Sequence, residues 1–116
     1  MAKTKIDPTL KLILDVLNEK QGEAIEAVDV SAITPLTEYY VIATANNPRK
    51  LNALQDAVCE ALEKAKMAIN HTEGTAESGW ILIDAYHVVV HLFSEEERKR
   101  INLDDFVLNR KEVIRL

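Results

Sequence analysis

The chain has 116 residues, 47% of them hydrophobic and 28% charged, with a formal net charge of −5. That length fits one domain spanning residues 1–116, and the balance excludes a disordered chain. The longest apolar runs, 39–43 and 88–93, fall far below the ~18 residues of a membrane span, and the N-terminal MAKTKIDPTL resembles neither a signal nor a transit peptide, so the expected location is the cytoplasm.

The charge is uneven. Residues 98–116 hold six basic and three acidic residues, net +3, which leaves −8 for residues 1–97. An acidic body repels nucleic-acid phosphates and attracts basic proteins; ordinary solubility is the plainer reason for such a charge. Cys59 is the single cysteine, which excludes a disulfide within the chain and a thiolate metal cluster. It falls in an apolar helical pattern and reads as an inert core thiol.

In chain order, Asp7-Pro8 reads as an N-cap followed by proline at the first helical position. Leu10, Ile13, Leu14 and Leu17 then form an amphipathic stripe, with Gly22 as the expected stop. Residues 25–30 predict a strand, and 31–37, with Pro35 and two threonines, a loop. The continuous run 39–44 predicts a strand covered on both faces. Asn47-Pro48 repeats the cap-and-proline signal, and Leu51, Leu54, Val58, Leu62 and Ala65 mark one face of a second helix. Residues 71–79, with two glycines, predict a loop. Trp80–Asp84 and 87–93 predict strands so close that only an antiparallel hairpin can join them; Ala85-Tyr86 is poor two-residue turn chemistry, so a longer turn is expected. Ser94-Glu95-Glu96-Glu97 is a capping box. For 107–116 a last strand, a short helix and a frayed tail all stay open.

This order of elements invites comparison with nucleotidyltransferases, which need a Gly-Ser or Gly-Gly helix start and two strand carboxylates one residue apart to hold magnesium. Here the helix start is Ala45-Asn46-Asn47-Pro48, and no such carboxylate pair stands on a predicted strand. Glu95 and Glu97 have the spacing but belong to the capping box. His87 and His91, four apart on a strand, share a face about 13 Å apart, too far for one metal ion. Catalysis, a metal and a cofactor are therefore not expected. Trp80 is by default a core residue; half-exposed beside Glu73 and Asp84 it would instead be an interface anchor. Alternation puts Trp80, Leu82 and Asp84 on one face and Ile81 and Ile83 on the other.

His71-Thr72-Glu73-Gly74, a short spacer, Trp80-Ile81-Leu82-Ile83-Asp84 and Val88-Val89-Val90-His91-Leu92-Phe93 resemble the central signature of the ribosomal silencing factor (Iojap-related) family. Leu36-Thr37-Glu38-Tyr39-Tyr40-Val41-Ile42-Ala43-Thr44 is similar to that family's Leu-Thr-Asp-Tyr-Phe-Val-Ile-Ala-Thr segment. The likeness runs through about residues 10–106. Departures are Glu38 for aspartate, the Ala45–Pro48 segment for a Gly-Asn-Ser-Ser-like start, Asp84-Ala85-Tyr86-His87 for Asp-Tyr-Gly-Asp, and loss of both aromatic landmarks in 98–107. The resemblance implies an α/β fold, a mixed sheet flanked by helices, nucleotidyltransferase-like without its catalytic residues. It also implies docking on large-subunit ribosomal protein fourteen, which blocks subunit joining and represses translation, with no membrane and no sequence-specific nucleic acid as partner. Trp80, Asp84, Glu73, Glu38 and Tyr39 are the residues expected at that contact. A homodimer through a sheet edge or the Trp80 face is compatible with it. The competing reading is a degenerate nucleotide-binding protein, with a pocket near 44–47.

Overall fold

The computed structural model describes residues 7–103 and a short strand at 114–115. The first helix, α1 (Pro8–Glu19), begins where Asp7 Oδ1 accepts the N–H groups of Thr9 and Leu10 at 2.9 and 3.1 Å. Both donors would otherwise lack an intrahelical partner. The helix ends in a Schellman turn: Gln21 N–H donates to Asn18 O, and Gly22 N–H to Leu17 O at 2.8 Å. The left-handed residue is Gln21 (φ 65), not the glycine predicted as the stop. Gly22 serves through its small size, because a Cβ there would lie 3.2 Å from Leu17 O.

Strands β1 (Glu23–Asp29) and β2 (Tyr39–Ala45) precede the long helix α2 (Pro48–Lys64). Asn47 caps α2 by accepting Lys50 N–H at 2.8 Å. Its buried stripe is Leu51, Leu54, Val58 and Leu62; the expected fifth member, Ala65, is the exposed C-cap, because the helix has ended. A second Schellman turn follows, with Lys66 left-handed (φ 59).

Residues 71–75, predicted as loop, form strand β3 (His71–Thr75), paired antiparallel with β4 (Trp80–Asp84). All five residues are exposed, so this edge strand carries no apolar pattern and owes its conformation to its ladder with β4. β4 pairs antiparallel with β5 (Val88–Ser94) across the three residues 85–87, the longer turn expected. Tyr86 sits there at φ 69, braced by its N–H donating to Asp84 Oδ1 at 2.9 Å. His87 thus belongs to the turn, not to a strand beside His91. Helix α3 (Glu95–Ile101) and strand β6 (Ile114–Arg115) complete the chain; the rest of the 107–116 question lies outside the described residues.

The sheet order is β3-β4-β5-β2-β1-β6, with β2 and β5 parallel and every other pair antiparallel. Helices α1 and α2 cover one face, where Ile13, Leu17, Leu54 and Leu62 meet Val41, Ala43, Ile81, Ile83, Val90 and Leu92. Full burial of each large side chain contributes roughly 1.5–3 kcal/mol. On the other face a smaller cluster, Val28, Val30, Ile42 and Phe93, is flanked by Ile33, Tyr40, Trp80, Ile101 and Leu103. Only half of the predicted capping box of α3 forms. Ser94 Oγ accepts Glu97 N–H at 3.1 Å, but Ser94 N–H goes to Gly79 O and the Glu97 carboxylate turns to Arg100. Arg98 ties α3 to the sheet by donating to Ala24 O, Thr44 Oγ1 and Glu26 Oε2 at 2.7, 2.8 and 3.1 Å.

Candidate functional site

Strand alternation gives the two sheet faces different fates. In β4 the burial of Ile81 and Ile83 against the helices leaves Trp80, Leu82 and Asp84 half-exposed on the opposite side. The register carries one row across that side: Glu73 stands beside Leu82, Leu82 beside His91, and His91 beside Ile42. Helix α3 lies over the β5 and β2 part of this face, which leaves the β3 and β4 part open.

Four of the expected contact residues fall near this open area, and one does not. Trp80 and Glu73 line a shallow pocket of about 310 Å³ together with Gly74, Ser78, Leu82, Glu97 and Arg100. Arg100 grips Glu97 with two nitrogens, Nε at 3.1–3.2 Å and Nη2 at 2.7 Å, and holds that carboxyl below its ordinary range. Asp84 lies at the far end of the same strand face, where His71 Nδ1 and Asn70 Nδ2 stand 3.6 and 3.2 Å from its Oδ2. Because Asp84 also braces the 85–87 turn, its carboxylate shapes the fold as well as the surface. Glu38 is exposed beyond that end, in a groove shared with Leu36, Tyr86 and His87.

Tyr39 is the exception. It packs against the helix-covered core, and its neighbour Tyr40 faces the Trp80 side. The continuous apolar run of β2 offers no alternation from which this parity could be read; the pairing of Tyr40 with Val89 decides it.

His91 is the residue that spacing alone missed. It is 5% exposed, accepts the Trp80 indole N–H on Nδ1 at 3.2 Å, and is met edge-on by Tyr40 at 4.8 Å. Burial lowers its pKa to about 4, so the ring is neutral. His71, His87 and His91 each sit in a different environment, and among the described residues no group of three or more histidine, cysteine, aspartate or glutamate side chains could hold a metal ion. Burial, with Glu63 and Asp56 nearby, pushes the Cys59 thiol up and away from nucleophilic use.

The nucleotide reading required a pocket near 44–47, and a cleft of about 540 Å³ does lie there, between the α2 start and residues 94–97. Its lining opposes phosphate. Glu77, Glu95, Glu96 and Glu97 all face it, Pro48 has no N–H, and Lys50 N–H is already bound to Asn47.

The chain is thus an α/β domain with one sheet face covered by helices and the other partly open, aromatic and acidic. A sequence model described as "Ribosomal silencing factor during starvation" matches residues 3–115, and the chain belongs to that family. Ribosomal silencing factor RsfS of Zymomonas mobilis is 29% identical over 88% of this chain and 78% of its own length. The protein of that name from Chromobacterium violaceum is 33% identical over 76% of this chain and 72% of its own. A crystal structure of a Chromobacterium violaceum protein superposes with a TM-score of 0.85 at 28% identity, covering 94% of this chain and 91% of that one. The expected family and fold class are thereby found. Among the described residues, no helix is long and apolar enough to cross a membrane.

Proposed function

We propose that this chain acts without catalysis, by docking on the large ribosomal subunit through large-subunit protein fourteen and sterically blocking the small subunit. The observation that carries the reading is the open strip of Trp80, Leu82 and Asp84 on β4, with Glu73 beside it, on a chain of net charge −5. The indole and Leu82 supply apolar area, and the carboxylates suit lysine and arginine of a basic ribosomal protein. Such a role places the protein in the cytoplasm, where its target is. The test is co-sedimentation with isolated large subunits, followed by addition of small subunits. The protein is expected to travel with large subunits and to reduce joining. Folded Trp80→Ala and Leu82→Lys proteins are expected to bind at least about thirtyfold more weakly, the loss of a typical hot spot. Unchanged joining at saturating protein would sink the reading. A stable dimer that Trp80→Ala dissociates, and that persists on the subunit, would assign the Trp80 face to self-association instead.

A further inference from the structure

Trp80 is the only tryptophan of the chain. Its indole nitrogen can only donate, and it donates to His91 Nδ1 at 3.2 Å. That bond sets the tautomer. Nδ1 must offer its lone pair, so the imidazole proton resides on Nε2. Yet Nε2 is buried and, among the described residues, has no hydrogen-bond partner. The ring around it is enclosed by aromatic neighbours: Tyr40 edge-on at 4.8 Å, and Phe93 nearly parallel, at 8° and 6.0 Å. A leucine or phenylalanine would fill this space without leaving a buried N–H unsatisfied. What the imidazole adds, and an apolar side chain cannot, is an acceptor for the indole.

We propose that His91 is a positioning residue that locks the Trp80 indole, before any partner arrives, in the orientation it presents on the open face. The proposal rests on the reading of that face as the docking surface. The β4 backbone holds one end of the tryptophan and His91 Nδ1 holds the other, so little rotational freedom remains to be lost on docking. The fixed indole also keeps one wall of the 310 Å³ pocket in place, a pocket that Glu73 and Leu82 line as well.

A single tryptophan makes the test direct, because time-resolved fluorescence anisotropy reports its motion alone. His91→Leu removes the acceptor, and His91→Asn keeps one, since the amide oxygen stands where Nδ1 does. In the free protein, His91→Leu is expected to add a fast, sub-nanosecond depolarisation that wild type and His91→Asn lack. Binding to isolated large subunits is expected to weaken about three- to tenfold in His91→Leu and to recover in His91→Asn. His91→Phe takes the place of His91→Leu if the latter does not fold. An indole equally rigid without the acceptor, or equally mobile in His91→Asn, overturns the proposal. Normal binding by folded Trp80→Ala overturns the docking reading instead, while the anisotropy comparison, made without a partner, still decides the hold of His91 on the indole.

Discussion

Asp7 and His87, 80 positions apart, meet through a 2.9 Å contact between Oδ1 and Nε2. The same carboxylate caps α1, and the His87 carbonyl accepts the N–H groups of Glu38 and Tyr39 at 2.9 and 3.0 Å. One side-chain contact therefore joins the start of α1, the β4–β5 turn and the start of β2. Burial alone would raise the Asp7 pKa; the hydrogen bond from His87, those from the Leu10 and Thr9 N–H groups and the attraction of the imidazole outweigh it and leave the pKa lowered.

Asp7→Ala is expected to cost about 1–2 kcal/mol in urea unfolding, the scale of a lost N-cap. Asp7→Asn, which can still cap, is expected to cost less. A group with a depressed folded pKa stabilises above its unfolded value and loses that contribution as pH falls through the folded one. Asp7→Asn should therefore flatten the acid limb of the stability curve below about pH 4. A limb identical to wild type would show that the contact contributes nothing.

His91 acts in a different pH window. Its folded pKa of about 4 lies below the ordinary histidine value of 6.5, so the unfolded chain binds the proton first. Stability from this group is full above about 6.5, declines as pH drops toward 4 and levels off beneath it; the whole span corresponds to roughly 3 kcal/mol. His91→Leu is expected to remove this decline between pH 6.5 and 4 while leaving the Asp7 limb. Equal slopes in both proteins over that window would refute the assignment.

Gly74 stands at φ 85 in the edge strand, and a Cβ there would come within 2.0 Å of Trp80 O. Gly74→Ala cannot be absorbed by a flexible side chain, since the obstacle is backbone. It is expected to destabilise by about 2–4 kcal/mol and to raise amide exchange in β3 and in Trp80 ahead of the rest of the sheet. A loss below ~0.5 kcal/mol would mean that the β3–β4 turn is looser than described.

What could be read in advance follows from where the signal is local. Asp7-Pro8 and Asn47-Pro48 each state a helix start within two residues, and both were legible. The alternation of β4 separated Ile81 and Ile83 from Trp80 and Leu82, which located the open face. β3 was not legible, because His-Thr-Glu-Gly-Thr at an exposed edge owes its conformation to a partner strand. Nor were the left-handed Gln21 and Lys66, where closing hydrogen bonds override the usual preference for glycine. Tyr39 and Tyr40 could not be assigned to faces without the register, and the partnership of Trp80 with His91 spans 11 positions and two strands.

The parallel pairing of β2 with β5 bears on how the chain is made. Tyr39 meets Val88 about 50 residues later, so one edge of β2 waits for a strand from the far end of the sequence. β1 can join β2 early, as a hairpin neighbour; the other edge cannot be covered until β5 has left the exit tunnel. At roughly 5–20 residues per second, the wait lasts about 3–10 seconds. Throughout it, residues 41–45, all buried in the finished sheet, offer an apolar strand edge to other nascent chains. The unpaired edge is an opening for aggregation during synthesis, and a slower-translating ribosome lengthens that exposure.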